Sequence, residues 1–189
     1  MKDNVKKMVG TAIFSAICIV LTLISNYIPI AGITINLALI AIATSAIIYG
    51  PLSGLIVGLV NGGFVMLAAG PFFAISPIGT VLVCLLKSGL AGLISGYVYL
   101  LFKNKNKLVA SILAAIVVPI INTALFIVGS LIFFEGLFGQ LISIFISVNF
   151  IIEFVICLLV SPSIKKVVDV YEKRYAIKEK QDDINMWYW

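Results

Sequence analysis

SPIGTVLVCLLKSGLAGLISGYVYLLF, residues 76–102, is long enough as a helix to cross a bilayer. Pro77 stands near its start and Lys103 follows its end. Lys87 lies in the middle, between an apolar run and a Gly-rich one. An ammonium group at membrane depth costs several kcal/mol unless it has a partner or a wet cavity. Every other cation lies near a chain end or in one short loop, so the remaining spans have to explain how Lys87 is tolerated.

The composition sets the class. Of 189 residues, 62% are hydrophobic and 11% charged, with mean hydropathy +1.19. Soluble domains carry about 25% charged residues. An integral membrane protein follows, with no room for a large soluble domain. The net charge of +5 does not indicate nucleic acid, because the cations flank apolar runs and form no basic face. Cys18, Cys84 and Cys157 lie inside apolar runs without metal-ligand spacing and read as small core residues. The chain has no His, the commonest general base and transition-metal ligand.

Outward from residues 76–102, the expected architecture is an all-α bundle of six transmembrane helices with short loops. The spans are 8–27, 34–49, 52–69, 76–102, 108–134 and 141–160. Together they form a membrane domain over 1–163, followed by a charged cytoplasmic tail over 164–189. The first span is too long for a signal-peptide core and lacks a cleavage site. Pro29 and Gly32 mark the first loop. Gly50-Pro51 makes a tight turn. Gly70-Pro71 opens a loop carrying Phe72 and Phe73, and Glu135-Gly136 marks the last turn. Pro162 ends or kinks the sixth span, and the aromatic end Met186-Trp187-Tyr188-Trp189 suits the inner interface.

Charge sets the orientation. With six spans, twelve of the 13 Lys and Arg residues fall on one side: three at the N-terminus, three in the 103–107 loop and six in the tail. The opposite loops contain none. That side is therefore cytoplasmic and holds both termini.

Small residues mark helix contacts. Gly54, Gly58 and Gly62 recur every fourth position, as do Gly92 and Gly96, a spacing that lets backbones approach closely. Ala12 and Ala16 form a similar pair on the first span.

Polar residues on three spans fall in one slab of the membrane. At helical rise, Lys87 lies about 16 Å from Ser76, and Asn122 about 20 Å from Glu135. Asn149 and Glu153 lie about 13 and 20 Å from Gln140, and being four apart they share a face. Pro119 frees a carbonyl one turn before Asn122. Two arrangements are open to Lys87. It pairs with Glu153 to hold two spans together, or both line a pocket in which Lys87 meets an anionic or carbonyl group of a ligand. Asn61 and Phe72 are further candidates for the pocket, while Asn36 reads first as a cap on the second span. The chain carries no clustered carboxylates, no Ser or Cys beside a base and no phosphate loop. It is therefore expected to be non-catalytic, without cofactor or metal.

The order of several phrases resembles the substrate-binding S-components of energy-coupling factor (ECF) transporters. These are Ile35-Asn36-Leu37-Ala38-Leu39-Ile40, Ala46-Ile47-Ile48-Tyr49-Gly50-Pro51, Ser76-Pro77-Ile78-Gly79-Thr80, Leu86-Lys87 with Ala91-Gly92, and Pro119-Ile120-Ile121-Asn122-Thr123. The resemblance covers residues 9–160. It implies a plasma-membrane subunit that captures a water-soluble vitamin or precursor. Its partners would be a transmembrane coupling subunit and two ATPases, which hydrolyse the ATP. By the same resemblance Ala12 and Ala16 face the coupling subunit. Lys87, Asn122, Asn149, Glu153, Asn61 and Phe72 are the expected substrate-binding residues. One deep cation favours a carboxylate ligand: a pantothenate-like acid first, biotin-like acids next, and riboflavin if the aromatic residues stack on it. The alternative is a self-contained small secondary carrier or channel, with Glu153 titrating.

Overall fold

A computed structural model describes residues 2–27, 35–134 and 149–186. These residues are helical almost throughout and contain no strand. The helices are α1 (Lys2–Tyr27), α2 (Ala38–Tyr49), α3 (Pro51–Ala68), α4 (Gly70–Ile75), α5 (Pro77–Phe102), α6 (Lys107–Phe133) and α7 (Phe150–Met186). Three are long and apolar enough to cross a membrane: α1 over Asn4–Tyr27, α5 and α6. α2 and α3 are apolar but shorter. The expected loop at Pro29 and Gly32, the turn at Glu135-Gly136, the 141–148 part of the sixth span and residues 187–189 lie outside the described residues.

Helix boundaries follow local chemistry. Gly50 has φ of +101°, which L side chains rarely adopt, and it joins α2 to α3 without a loop. Pro51 then opens α3, where its missing N–H has no partner to lose. Ser76 caps α5 by accepting from Gly79 N at 3.2 Å. Asn106 caps α6 by accepting from Leu108 N and Val109 N at 2.9 and 3.3 Å.

Two boundaries differ from expectation. The 70–75 segment, expected as a loop, is the short helix α4, because Pro71 sits in its first turn where proline is tolerated. Pro162 does not end its helix: α7 runs through it to Met186. A proline deprives the carbonyl four residues earlier of its donor. Ser161 Oγ donates to that carbonyl, Leu158 O, at 2.7 Å and keeps it satisfied. The charged tail is thus a continuation of α7, crossing the expected domain boundary at 163/164. There the Lys165 ammonium bonds the Asp169 carboxylate at 2.8 Å and holds that carboxyl below its ordinary range.

The largest contact in the bundle is α3 on α5. A Cβ on Gly54 would strike Gly92 O, one on Gly58 would strike Ser88 O, and one on Gly62 would strike Cys84 O. Numbers rise in fours along α3 as they fall in fours along α5. The two helices are therefore antiparallel and in backbone contact over two full turns.

α2 forms the axis. Nine of its twelve residues are buried, from Ala38 to Ile47, and α1, α3, α5, α6 and α7 all touch it. At its end Tyr49 packs edge-on against Phe14 and Tyr171, in space left by the missing side chain of Gly10. This ties the extension of α7 to α1 and α2.

Candidate functional site

The polar residues of α5, α6 and α7 meet in one cavity of about 370 Å³. That volume suits a small ligand. Lys87, Thr80, Val83 and Cys84 face it from α5, at spacings of three, four and seven that share one helical face. Asn122, Thr123 and Phe126 face it from α6, with Phe134 just beyond that helix. Glu153 contributes from α7 and Asn149 from the position just before that helix, and Thr22, Ser25 and Asn26 from the end of α1. Asn36, Val65, Ala69 and Phe72 complete the wall. Phe72 packs edge-on against Phe134, with ring centroids 5.3 Å apart.

Lys87 and Glu153 share this cavity but are not an ion pair. The Lys87 ammonium sits over the Phe126 ring, 5.1 Å from its centroid, in cation–π range. Among the described residues it makes no salt bridge. Glu153, only 4% exposed, accepts instead from the backbone N–H of Asn36 at 3.1 Å. Asn36 Oδ1 also accepts from Ala38 N at 3.2 Å, bracing the turn before α2, while the cap position itself is Leu37 and has no side-chain cap. The backbone at Asn36 and Leu37 is therefore held by Glu153 and by Ser25 Oγ, and α2 begins at Ala38 rather than at residue 34. Asn149 Oδ1 is buried and has no donor among the described residues.

Asn61 does not line the cavity. It is fully buried behind the wall, where its Oδ1 accepts from Thr22 Oγ at 2.9 Å and its Nδ2 donates to Ser88 Oγ at 3.0 Å. Ser88 Oγ in turn donates to Asn122 Oδ1 at 3.5 Å. Ala12 and Ala16 are both exposed on α1, away from the cavity.

Thr22, Ser25, Asn26, Thr80, Phe126 and Phe134 were not among the sequence candidates. Thr80 is two turns from Lys87, and Phe126 is one turn from Asn122. Thr22, Ser25 and Asn26 stand three and four apart, which makes a polar face at the end of an otherwise apolar span.

A family model of the substrate-specific component of ECF transporters matches residues 6–164. The chain belongs to this family. It is a multi-pass membrane protein that binds a substrate and works with the other ECF transporter components. No curated protein and no solved structure matches the chain.

Proposed function

We propose that the cavity captures a small water-soluble acid of the pantothenate type and holds it by both ends. The observation that carries this is the separation of Lys87 from Glu153 inside one cavity. An ammonium that makes no salt bridge among the described residues is available to a carboxylate on a ligand. Glu153 on α7 and Asn149 Oδ1 just before that helix, which has no donor among the described residues, offer acceptors to hydroxyl or amide N–H groups. Phe72, Phe126 and Phe134 supply apolar surface for the carbon skeleton. A carboxylate at one end and hydroxyls at the other match this arrangement.

In this proposal the chain has six spans, both termini in the cytoplasm and a place in the plasma membrane. It acts as the non-catalytic capture subunit beside a transmembrane coupling subunit and two ATPases. The exposed Ala12 and Ala16 present a flat strip of α1 to the coupling subunit, since small side chains allow close and reversible helix contact.

The test is thermal melting of the purified full-length protein with pantothenate, biotin and riboflavin added separately. A ligand present at a hundred times its Kd stabilises by about 2.7 kcal/mol. Pantothenate should raise the midpoint most. A response to riboflavin alone would replace the substrate assignment, and a response to none of the three would remove it.

A further inference from the structure

Resting on the proposal of an acid substrate, we propose that Asn61 and Ser88 are positioning residues. They lie outside the cavity and set the polarity of its Asn122 wall. They form a directed chain of hydrogen bonds from Thr22 on α1, through Asn61 on α3 and Ser88 on α5, to Asn122 on α6.

Proton counting leaves two directions open to the chain, and in the first the Thr22 proton goes to Asn61. Asn61 Oδ1 accepts from Thr22, which turns the Asn61 NH2 toward Ser88. Ser88 has one hydroxyl proton. Having accepted from Asn61, it places that proton on Asn122 Oδ1. The Asn122 oxygen is thereby turned into the protein, and its NH2 is left for the cavity that Asn122 lines. Asn122 and Phe126 are one helical turn apart, and the Lys87 ammonium sits over Phe126. Amide and ammonium donors thus stand on the same wall, suited to an anionic acceptor.

The opposite direction uses the same atoms. The Thr22 hydroxyl is also 2.8 Å from Cys18 O. If it gives its proton there, Asn61 can flip, Ser88 can donate back to it, and Asn122 can turn its oxygen to the cavity. An acid should favour the first direction and an uncharged hydrogen-bond donor the second. Fixing this choice is the role assigned to Asn61 and Ser88.

The experiment compares pantothenate with its alcohol analogue, in which CH2OH replaces the carboxylate, by calorimetry on the purified full-length protein. The wild type should prefer the acid. Ser88→Ala should shrink that preference about three- to tenfold, the size of one lost hydrogen bond. Ser95→Ala is the control: Ser95 is equally buried on α5 but donates to Ala114 O at 2.8 Å, and its loss should leave the ratio unchanged. An unchanged ratio in Ser88→Ala, with normal wild-type binding, overturns the positioning role. A second measurement uses the wild type alone. The Asn122 side-chain NH2 resonances, assigned by their loss in Asn122→Asp, should shift on adding pantothenate, and their failure to move at saturation also overturns it. If the wild type binds neither compound, the substrate assignment fails and the positioning role falls with it.

Discussion

The backbone N–H of Asn36 donates to Oε1 of Glu153 at 3.1 Å, joining residues 117 positions apart. The bond fastens the entry of α2 to the start of α7 and holds the carboxylate at the cavity wall. Glu153 thus fastens the fold and, in the proposed function, also faces the ligand, and two substitutions separate these roles.

Glu153→Gln keeps an acceptor for Asn36 and removes the charge. Its melting midpoint should stay near that of the wild type while ligand affinity falls. Glu153→Leu leaves the Asn36 N–H without its acceptor and should cost about 1–3 kcal/mol of stability as well. Melting curves and calorimetry on both variants check this. Equal stability loss in both would mean that charge, not the acceptor, holds α2 to α7.

Lys87→Met should weaken acid binding at least tenfold, a loss of about 1.4 kcal/mol or more. The unliganded protein should melt close to wild type, because the substitution breaks no salt bridge among the described residues. Unchanged affinity would assign the ammonium to the Phe126 contact alone.

Gly58→Ala places a methyl against the Ser88 carbonyl and should destabilise by about 1–3 kcal/mol through overpacking. Gly63→Ala, on the same helix with nothing within 4 Å of its added methyl, should be neutral or slightly stabilising. Detergent-solubilised melting of the pair measures the difference, and equal midpoints would contradict the backbone contact of α3 with α5.

Ala12→Trp and Ala16→Trp should abolish uptake in cells expressing the whole transporter and leave binding by the isolated subunit intact. Both positions are exposed, so the indoles project from the surface of α1. Loss of binding in parallel with uptake would refute a coupling role for this face.

The spacing of Gly54, Gly58, Gly62, Gly92 and Gly96 carried the α3–α5 contact legibly, because close backbone packing in lipid requires small residues at that interval. The shared depth of Lys87, Asn122, Asn149 and Glu153 was legible for a similar reason, since helical rise per residue is fixed. Angular position was not. Buried and lipid-facing sides are both apolar in this chain, so nothing in the sequence aims Lys87 at Phe126 rather than at Glu153. For the same reason Asn61 could not be separated from the cavity wall. The polar face at the end of α1 was hidden by an ordinary habit of hydroxyl residues. Thr22 and Ser25 each bond the carbonyl four residues back, as such residues do in any membrane helix. The helical course of 70–75 and the passage of α7 through Pro162 depended on first-turn tolerance and on one serine hydroxyl, details smaller than a hydropathy window resolves.

The glycine contact between α3 and α5 also bears on motion. Where main chain lies on main chain, there is no side-chain rotamer to switch and no gap to close, so the two helices act as a chassis. Lys87 rides on that chassis, so in the proposed function its helix is a fixed reference for the substrate. In that proposal, adjustment to the substrate falls to the elements outside the α3–α5 pair: the end of α1, the entry of α2 and the start of α7.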